Sequence, residues 1–289
     1  MSRGENRGVL CSSCRRLVDK EAKTCPHCGA RNPNLSGLAG RLRDLWKEDL
    51  LQAITMVCMA VYVLHVGLTM IVAPEYLTRP RGWLAIGAPH PFVSSLAGAT
   101  SGAQLWGGHL WTLVSASFVH YSVLHIGFNL YWLQDLGRMA REIFGPARFI
   151  VVFGLSGIGG FLLSDVVSGA PTAGASCALF GLLGAMATFG WRRGGVDGER
   201  IKAKMIRWTI IATIFAVAMG GVNHLGHGGG LLTGVALAFT FPSHEGQRES
   251  RAVQLLAVGL LVLWVVCLLG AAVGWFILSP QALPYLSRS

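Results

Sequence analysis

Leu50–Ala73 and Ala252–Leu278 run for 24 and 27 residues without a single charged side chain. Crossing the hydrocarbon of a bilayer takes about 20 apolar residues as a helix, since only a helix pairs all of its own backbone there. Both stretches therefore read as membrane spans, and an ordinary soluble fold is excluded. Shorter apolar blocks at Ser122–Leu136, Phe149–Val167, Thr172–Gly190, Trp208–Val222 and His224–Phe241 bring the expected number of spans to seven. Composition agrees, with 52% hydrophobic and 13% charged residues, where a soluble domain carries about 25% charged. The first apolar block is too long and too far into the chain for a cleavable signal, so the expectation is a protein inserted through its first helix.

The placement of positive charge gives an orientation. Arg3, Arg7, Arg15, Arg16, Lys20, Lys23, Arg31, Arg41, Arg43 and Lys47 precede the first span. Arg138, Arg141 and Arg148 follow the second span, Arg192 to Arg207 carry six more after the fourth, and Arg248 and Arg251 follow the sixth. All of these fall on the side of the N-terminus, and only Arg79, Arg81 and Arg288 fall opposite. Positive loops stay in the cytoplasm, so the expected topology has the N-terminus inside and the C-terminus outside. The formal charge of +10 is then mostly topological, with some attraction to anionic headgroups of the lipid bilayer. Nucleic acid is not an expected partner.

Ahead of the spans, Cys11-Ser-Ser-Cys14 and Cys25-Pro-His-Cys28 form two C-x-x-C pairs. Each pair can wrap one edge of a tetrahedral ion, which points to structural zinc held by Cys11, Cys14, Cys25 and Cys28. Gly29 suits a turn that aims backbone amides at the thiolates. A segment this short buries no core, so the metal would supply its folding energy. Two disulfides are the weaker reading, because a cytoplasmic segment stays reduced. The expected organisation is a cytosolic zinc-ribbon module at 1–32, a linker and amphipathic juxtamembrane segment at 33–49, and a membrane domain at 50–289. The ribbon either docks a cytosolic protein partner or simply caps the N-terminus.

Polar groups inside membrane spans are costly and mark function. Three clusters stand out. His125 and Asn129 lie four apart, as do Ser176 and Phe180, so each pair shares a helical face. His227, Gly230 and Gly234 fall at roughly 0°, 300° and 340° around their helix. Gly230 and Gly234 make a small-xxx-small step that admits a neighbouring helix closely, within hydrogen-bond reach of the histidine. Taken singly, a membrane serine bonds its own preceding carbonyl, and a histidine or asparagine ties helices together. Together, and all toward the outer ends of their spans, they suit acyl transfer, with a histidine base and a serine nucleophile. Asp165 is the only acidic candidate near this depth, so a dyad is expected instead of a triad. A transporter path is the weaker alternative, as no inverted repeat is evident.

These residues resemble the rhomboid family of intramembrane serine proteases over about residues 50 to 278. Gly174-Ala-Ser176 is similar to its nucleophile motif, and His227-x-x-Gly230-x-x-x-Gly234 to its base-bearing helix. His120, His125 and Asn129 match a segment whose last two members line the oxyanion site, and Phe180 matches a ring set against the base. The resemblance implies an all-α polytopic membrane protein with a six-helix core and a seventh, C-terminal helix. It also implies transmembrane protein substrates cut near their outer ends, no cofactor for catalysis, and an external loop at about Pro74–Gly108 packed on the membrane. A bacterial cytoplasmic membrane is the expected location. Three positions depart from the family. Thr112 follows Trp111 where arginine is common, and Arg141 stands between Gly137 and Gly145 where glutamate is common. Cys177 follows the serine where glycine is common; its amide remains free to serve the oxyanion, while its side chain is expected to crowd the site. These departures leave open a catalytically silent relative that binds or escorts membrane proteins.

Overall fold

The computed structural model describes residues 8–11, 14, 16–19, 22–29, 50–78, 85–219, 222–243 and 249–286. The chain divides into two compact units, Met1–Ala53 and Ile54–Ser289. In the first, β1 (Val9–Leu10) pairs antiparallel with β2 (Leu17–Val18), Val9 opposite Val18 and Leu10 opposite Leu17. Val18, Cys11 and Cys25 form its small core. The expected juxtamembrane segment at 33–49 lies outside the described residues.

The long helices are α1 (Leu50–Val72), α6 (Val123–Phe144), α7 (Pro146–Val167), α8 (Ser176–Arg193), α9 (Gly195–Met219), α10 (His224–Thr240) and α11 (Arg251–Leu286). Each falls on one of the seven apolar blocks. Short helices α2 (Pro74–Thr78), α3 (Pro91–Leu96), α4 (Gly102–Trp106) and α5 (Thr112–Ser115) build the segment between α1 and α6. The boundaries differ from expectation in instructive ways. Helix α8 starts four residues late, because Thr172 is drawn into a bridge with Thr100 and Gly174 takes a positive φ of 119°. Helix α9 starts at Gly195, since its charged first turns are helical without being apolar. By length and apolar composition alone, three of the described helices can cross a membrane: α1, α7 and Arg251–Trp275 of α11. Helix α10 has only 17 residues, and α8 carries Arg192 and Arg193 in its last turn, so neither stands out by these measures.

Burial runs inside out relative to a soluble protein. Met56, Val63, Met70, Ile210, Ile214, Leu255, Val262 and Leu269 are exposed, while Ser156, Ser164, Asp165, Thr172 and Asn129 are buried. Hydrocarbon satisfies the outer surface, and buried polar groups mark the places where helices must be tied together. Helix α7 is the hub. Phe149, Phe153 and Phe161 are fully buried, and Trp264 of α11 sets its edge against Phe153 and Phe118 at 5.8 and 5.5 Å between centroids. At one end of the bundle, Arg192 Nη1 donates to the carbonyls of Ala238 and Phe241, both at 2.6 Å, closing the C-terminus of α10.

The closest helix pair is α8 with α10. A Cβ on Gly230 would stand 2.0 Å from the Cys177 carbonyl oxygen, and one on Gly234 would stand 1.9 Å from that of Gly181. Backbone cannot give way as a side chain can. Gly234→Ala is therefore expected to destabilise the bundle by about 1–3 kcal/mol, seen as a lower thermal midpoint in detergent. Gly228→Ala, whose Cβ would meet nothing within 4 Å, is expected to leave that midpoint where it is.

Candidate active site and metal centre

Ser176 is the first residue of α8, so no helical carbonyl lies behind it to absorb its hydroxyl. The helix start is buried at Ala175, Cys177 and Ala178, and no side chain caps it. The first amides of a helix have no partner within it, so those of Ser176, Cys177 and Ala178 are available to an anion. They also carry the positive end of the helix dipole. The neighbouring starts differ: Ser122 Oγ accepts from His125 N–H at the start of α6 (3.2 Å), and Asn223 Oδ1 accepts from Gly226 N–H at the start of α10 (3.0 Å).

His227 lies one turn into α10, and its Nε2 is 2.8 Å from Ser176 Oγ. With the ring neutral and protonated on Nδ1, Nε2 accepts the serine proton. Phe180 stacks on the imidazole at 4.2 Å between centroids and 14° between planes, which fixes the ring's rotation. Both Ser176 and His227 are half-buried. No carboxylate among the described residues bonds His227. Asp165 instead accepts from the Thr100 hydroxyl, and His224 is exposed, 6.4 Å from His227 between ring centroids.

Facing this pair, His125 Nδ1 accepts from Tyr121 N–H at 3.2 Å. The ring proton therefore sits on Nε2, and this nitrogen points toward Gly174: a Cβ there would lie 2.6 Å from it. Only glycine lets the ring approach the loop before Ser176 so closely. Asn129 donates one amide N–H to the His125 carbonyl at 2.8 Å, leaving its second N–H uncommitted. His120 is fully buried, and its Nδ1 donates to the Phe118 carbonyl at 3.2 Å, a supporting contact behind His125.

Cys177 does not crowd the site, contrary to expectation. Its side chain packs with Ala116 and Phe161, in a berth left by two absent Cβ atoms: one on Gly226 would stand 2.9 Å from Sγ, and one on Gly160 would stand 3.1 Å from it. Thr112, where the family commonly has arginine, has its Oγ1 donating to His109 O at 2.7 Å and reaching Thr100 Oγ1 at 3.1 Å. At the other end, a distant carboxylate caps α7. Glu249 Oε1 accepts from Arg148 N–H at 2.8 Å, whereas Glu142 is exposed.

Sequence reading passed over two residues here, Asn223 and Glu249. Asn223 had a usable signal, being a capping residue directly ahead of the histidine helix. Glu249 had none, since it acts 101 residues from its partner.

In the N-terminal unit, Sγ of Cys11, Cys14, Cys25 and Cys28 all lie within 4.8 Å of one another. The Cys11–Cys28 and Cys14–Cys25 separations are 3.8 and 3.7 Å. A tetrahedron with metal–sulfur bonds of about 2.3 Å has edges of about 3.8 Å, so the four thiols fit one ion without rearrangement. The Gly29 turn is present, with φ 70° and Gly29 N–H donating to Cys25 O at 2.9 Å. Burial and the neighbouring thiols of Cys11 and Cys28 push the Cys25 thiol up to about 11, so metal must displace protons to bind.

Fold and site together define a polytopic helical membrane protein with a serine–histidine pair at converging helix starts. Residues 107–244 match the family model of the rhomboid domain. It is 32% identical over 170 residues to the rhomboid protease GluP of Bacillus subtilis, covering 57% of this chain and 34% of that protein. It is 29% identical over 196 residues to rhomboid-like protease 3 of Toxoplasma gondii, covering 66% of this chain and 72% of that one. RHOMBOID-like protein 1 of Arabidopsis thaliana is 34% identical over 134 residues, 46% of this chain and 34% of that protein. The chain thus spans about a third of the length of two of these relatives and most of the third.

Proposed function

We propose that this chain is an intramembrane serine endopeptidase, hydrolysing peptide bonds in or near transmembrane segments of other membrane proteins with a Ser176–His227 dyad. The observation that carries this reading is the 2.8 Å contact between Ser176 Oγ and His227 Nε2 at an uncapped, buried helix start. Ser176 Oγ attacks the substrate carbonyl carbon as its proton passes to His227 Nε2. The carbonyl oxygen becomes an oxyanion beside the amides of Ser176 and Cys177, the His125 Nε2–H and the free N–H of Asn129. His227 then returns the proton to the leaving amine, and water, deprotonated by the same nitrogen, releases the acyl group.

Ser176→Ala and His227→Ala are each expected to abolish cleavage of a reporter transmembrane segment in proteoliposomes while the protein still accumulates. A fluorophosphonate probe should label the wild type and not Ser176→Ala; cleavage persisting in Ser176→Ala removes the dyad. His125→Ala is expected to slow cleavage by about 10²–10³, the usual loss for one oxyanion donor, with probe labelling slowed in parallel. A loss confined to KM would remove the oxyanion role.

The metal of the N-terminal module is proposed to be zinc, in a ribbon at about 1–32 joined by a linker to the membrane domain. Purified protein is expected to carry one zinc per chain, lost in the Cys11→Ser/Cys14→Ser double variant by elemental analysis. Because free thiols hold their protons, lowering the pH favours release, and zinc occupancy should fall as the pH falls. Retention of metal in the double variant refutes the ligand set. The N-terminus is proposed to be cytoplasmic and the C-terminus outside, in a bacterial cytoplasmic membrane. Alkaline phosphatase fused after Ser289 should then be active, and an inactive fusion reverses the topology.

A further inference from the structure

The serine and the histidine sit on different helices and need a common reference. One carboxamide touches the supports of both. Asn223 starts α10, four residues before His227: its carbonyl accepts from His227 N–H at 3.3 Å and its Oδ1 from Gly226 N–H at 3.0 Å. Its Nδ2 donates to Thr172 Oγ1 at 2.6 Å and to Ser164 Oγ of α7. Thr172 stands four residues before Ser176, and its own backbone is fixed by paired hydrogen bonds with Thr100 at 2.8 and 3.0 Å. The Thr172 hydroxyl donates to Ala170 O at 3.0 Å, which leaves its lone pairs for Asn223. Gly174, between Thr172 and Ser176, is held by Gly174 N–H donating to Ala116 O at 2.9 Å. The amide thereby uses its oxygen to set the start of the histidine helix and its two N–H donors to hold the nucleophile loop and the hub helix. Thr172 and Ser164 are buried, in a low-dielectric setting where such bonds are strong and their loss costly.

We infer that Asn223 is a positioning residue that sets the approach of His227 to Ser176 by bridging the start of α10 to Thr172, an inference that rests on the dyad reading above. Capping and bridging can be separated. Serine caps a helix about as well as asparagine, yet its side chain is too short to span to Thr172 and Ser164. Asn223→Ser therefore keeps the helix start and removes the bridge. Thr172→Val removes the acceptor from the other side, and Thr172→Ser keeps it.

The experiment measures kcat and KM for a reporter transmembrane substrate in proteoliposomes, with fluorophosphonate labelling rates alongside. Misplacement of reacting groups by 1 Å can cost about 10² in rate; Asn223→Ser and Thr172→Val are expected to lower kcat by at least about tenfold, with KM within about twofold of wild type. Because both break one bridge, the double variant should fall no further than the worse single. Thr172→Ser should retain most of the wild-type kcat. A kcat within about twofold of wild type in Asn223→Ser or Thr172→Val, or losses that multiply in the double variant, overturns the inference. Should Asn223→Ser fail to accumulate, the Thr172 pair decides: equal kcat in the valine and serine forms overturns it, and a gap of about tenfold supports it. A wild type that neither cleaves nor takes the probe strikes down the protease reading itself, whereas an active wild type with an equally active Asn223→Ser strikes down only the positioning role.

Discussion

The structure depends on backbone-to-backbone contact between α8 and α10. Side chains normally keep helix axes 8–10 Å apart, and small residues at the interface let backbones come closer than that. Gly230 and Gly234 remove the spacers, and the carbonyls of Cys177 and Gly181 occupy the room that a Cβ would need. In hydrocarbon there is no hydrophobic gain from pressing apolar helices together, so such close packing and the polar ties around it carry the association. Phe180 then sits flat on His227, and the Ser176–His227 contact follows from the helix pair more than from any flexible loop.

Around that contact the protein places groups that lipid would otherwise penalise. The starts of α6, α8 and α10 meet at the site, each bringing unpaired amides or their caps. Two are closed, by Ser122 and Asn223, and the third is left bare beside Ser176. A bare, buried helix start is unfavourable at rest. It is also a set of fixed donors, which under the proposed mechanism need no reorientation when negative charge develops.

Much of this was legible in the sequence because spacing fixes faces. The four-residue steps from His125 to Asn129 and from Ser176 to Phe180, and the glycine stripe beyond His227, set which side chains look the same way before any packing is known. The two C-x-x-C pairs likewise set the geometry of one ion. What stayed hidden depends on distant partners. The berth for the Cys177 thiol is made by Gly160 and Gly226 on two other helices, so position 177 read alone suggested a clash. The cap on α7 comes from Glu249, beyond α10, and the late start of α8 follows from a bridge to Thr100. Periodicity carries no information on any of these.

The three helices that bring their first turns to the site, α6, α8 and α10, alternate with α7 and α9, which return the chain to the side where the next contributor starts. Parity is thus a hidden requirement of the fold: an odd number of returning helices must lie between contributors, or one arrives with its carbonyl end foremost and offers acceptors instead of donors. Gaining or losing a single interior crossing would break this arrangement at once. An extra crossing after the last contributor changes only the side on which the tail emerges. Helix α11 is such an addition, free to gather Phe118 and Phe153 around Trp264 without disturbing the handedness of the chemistry.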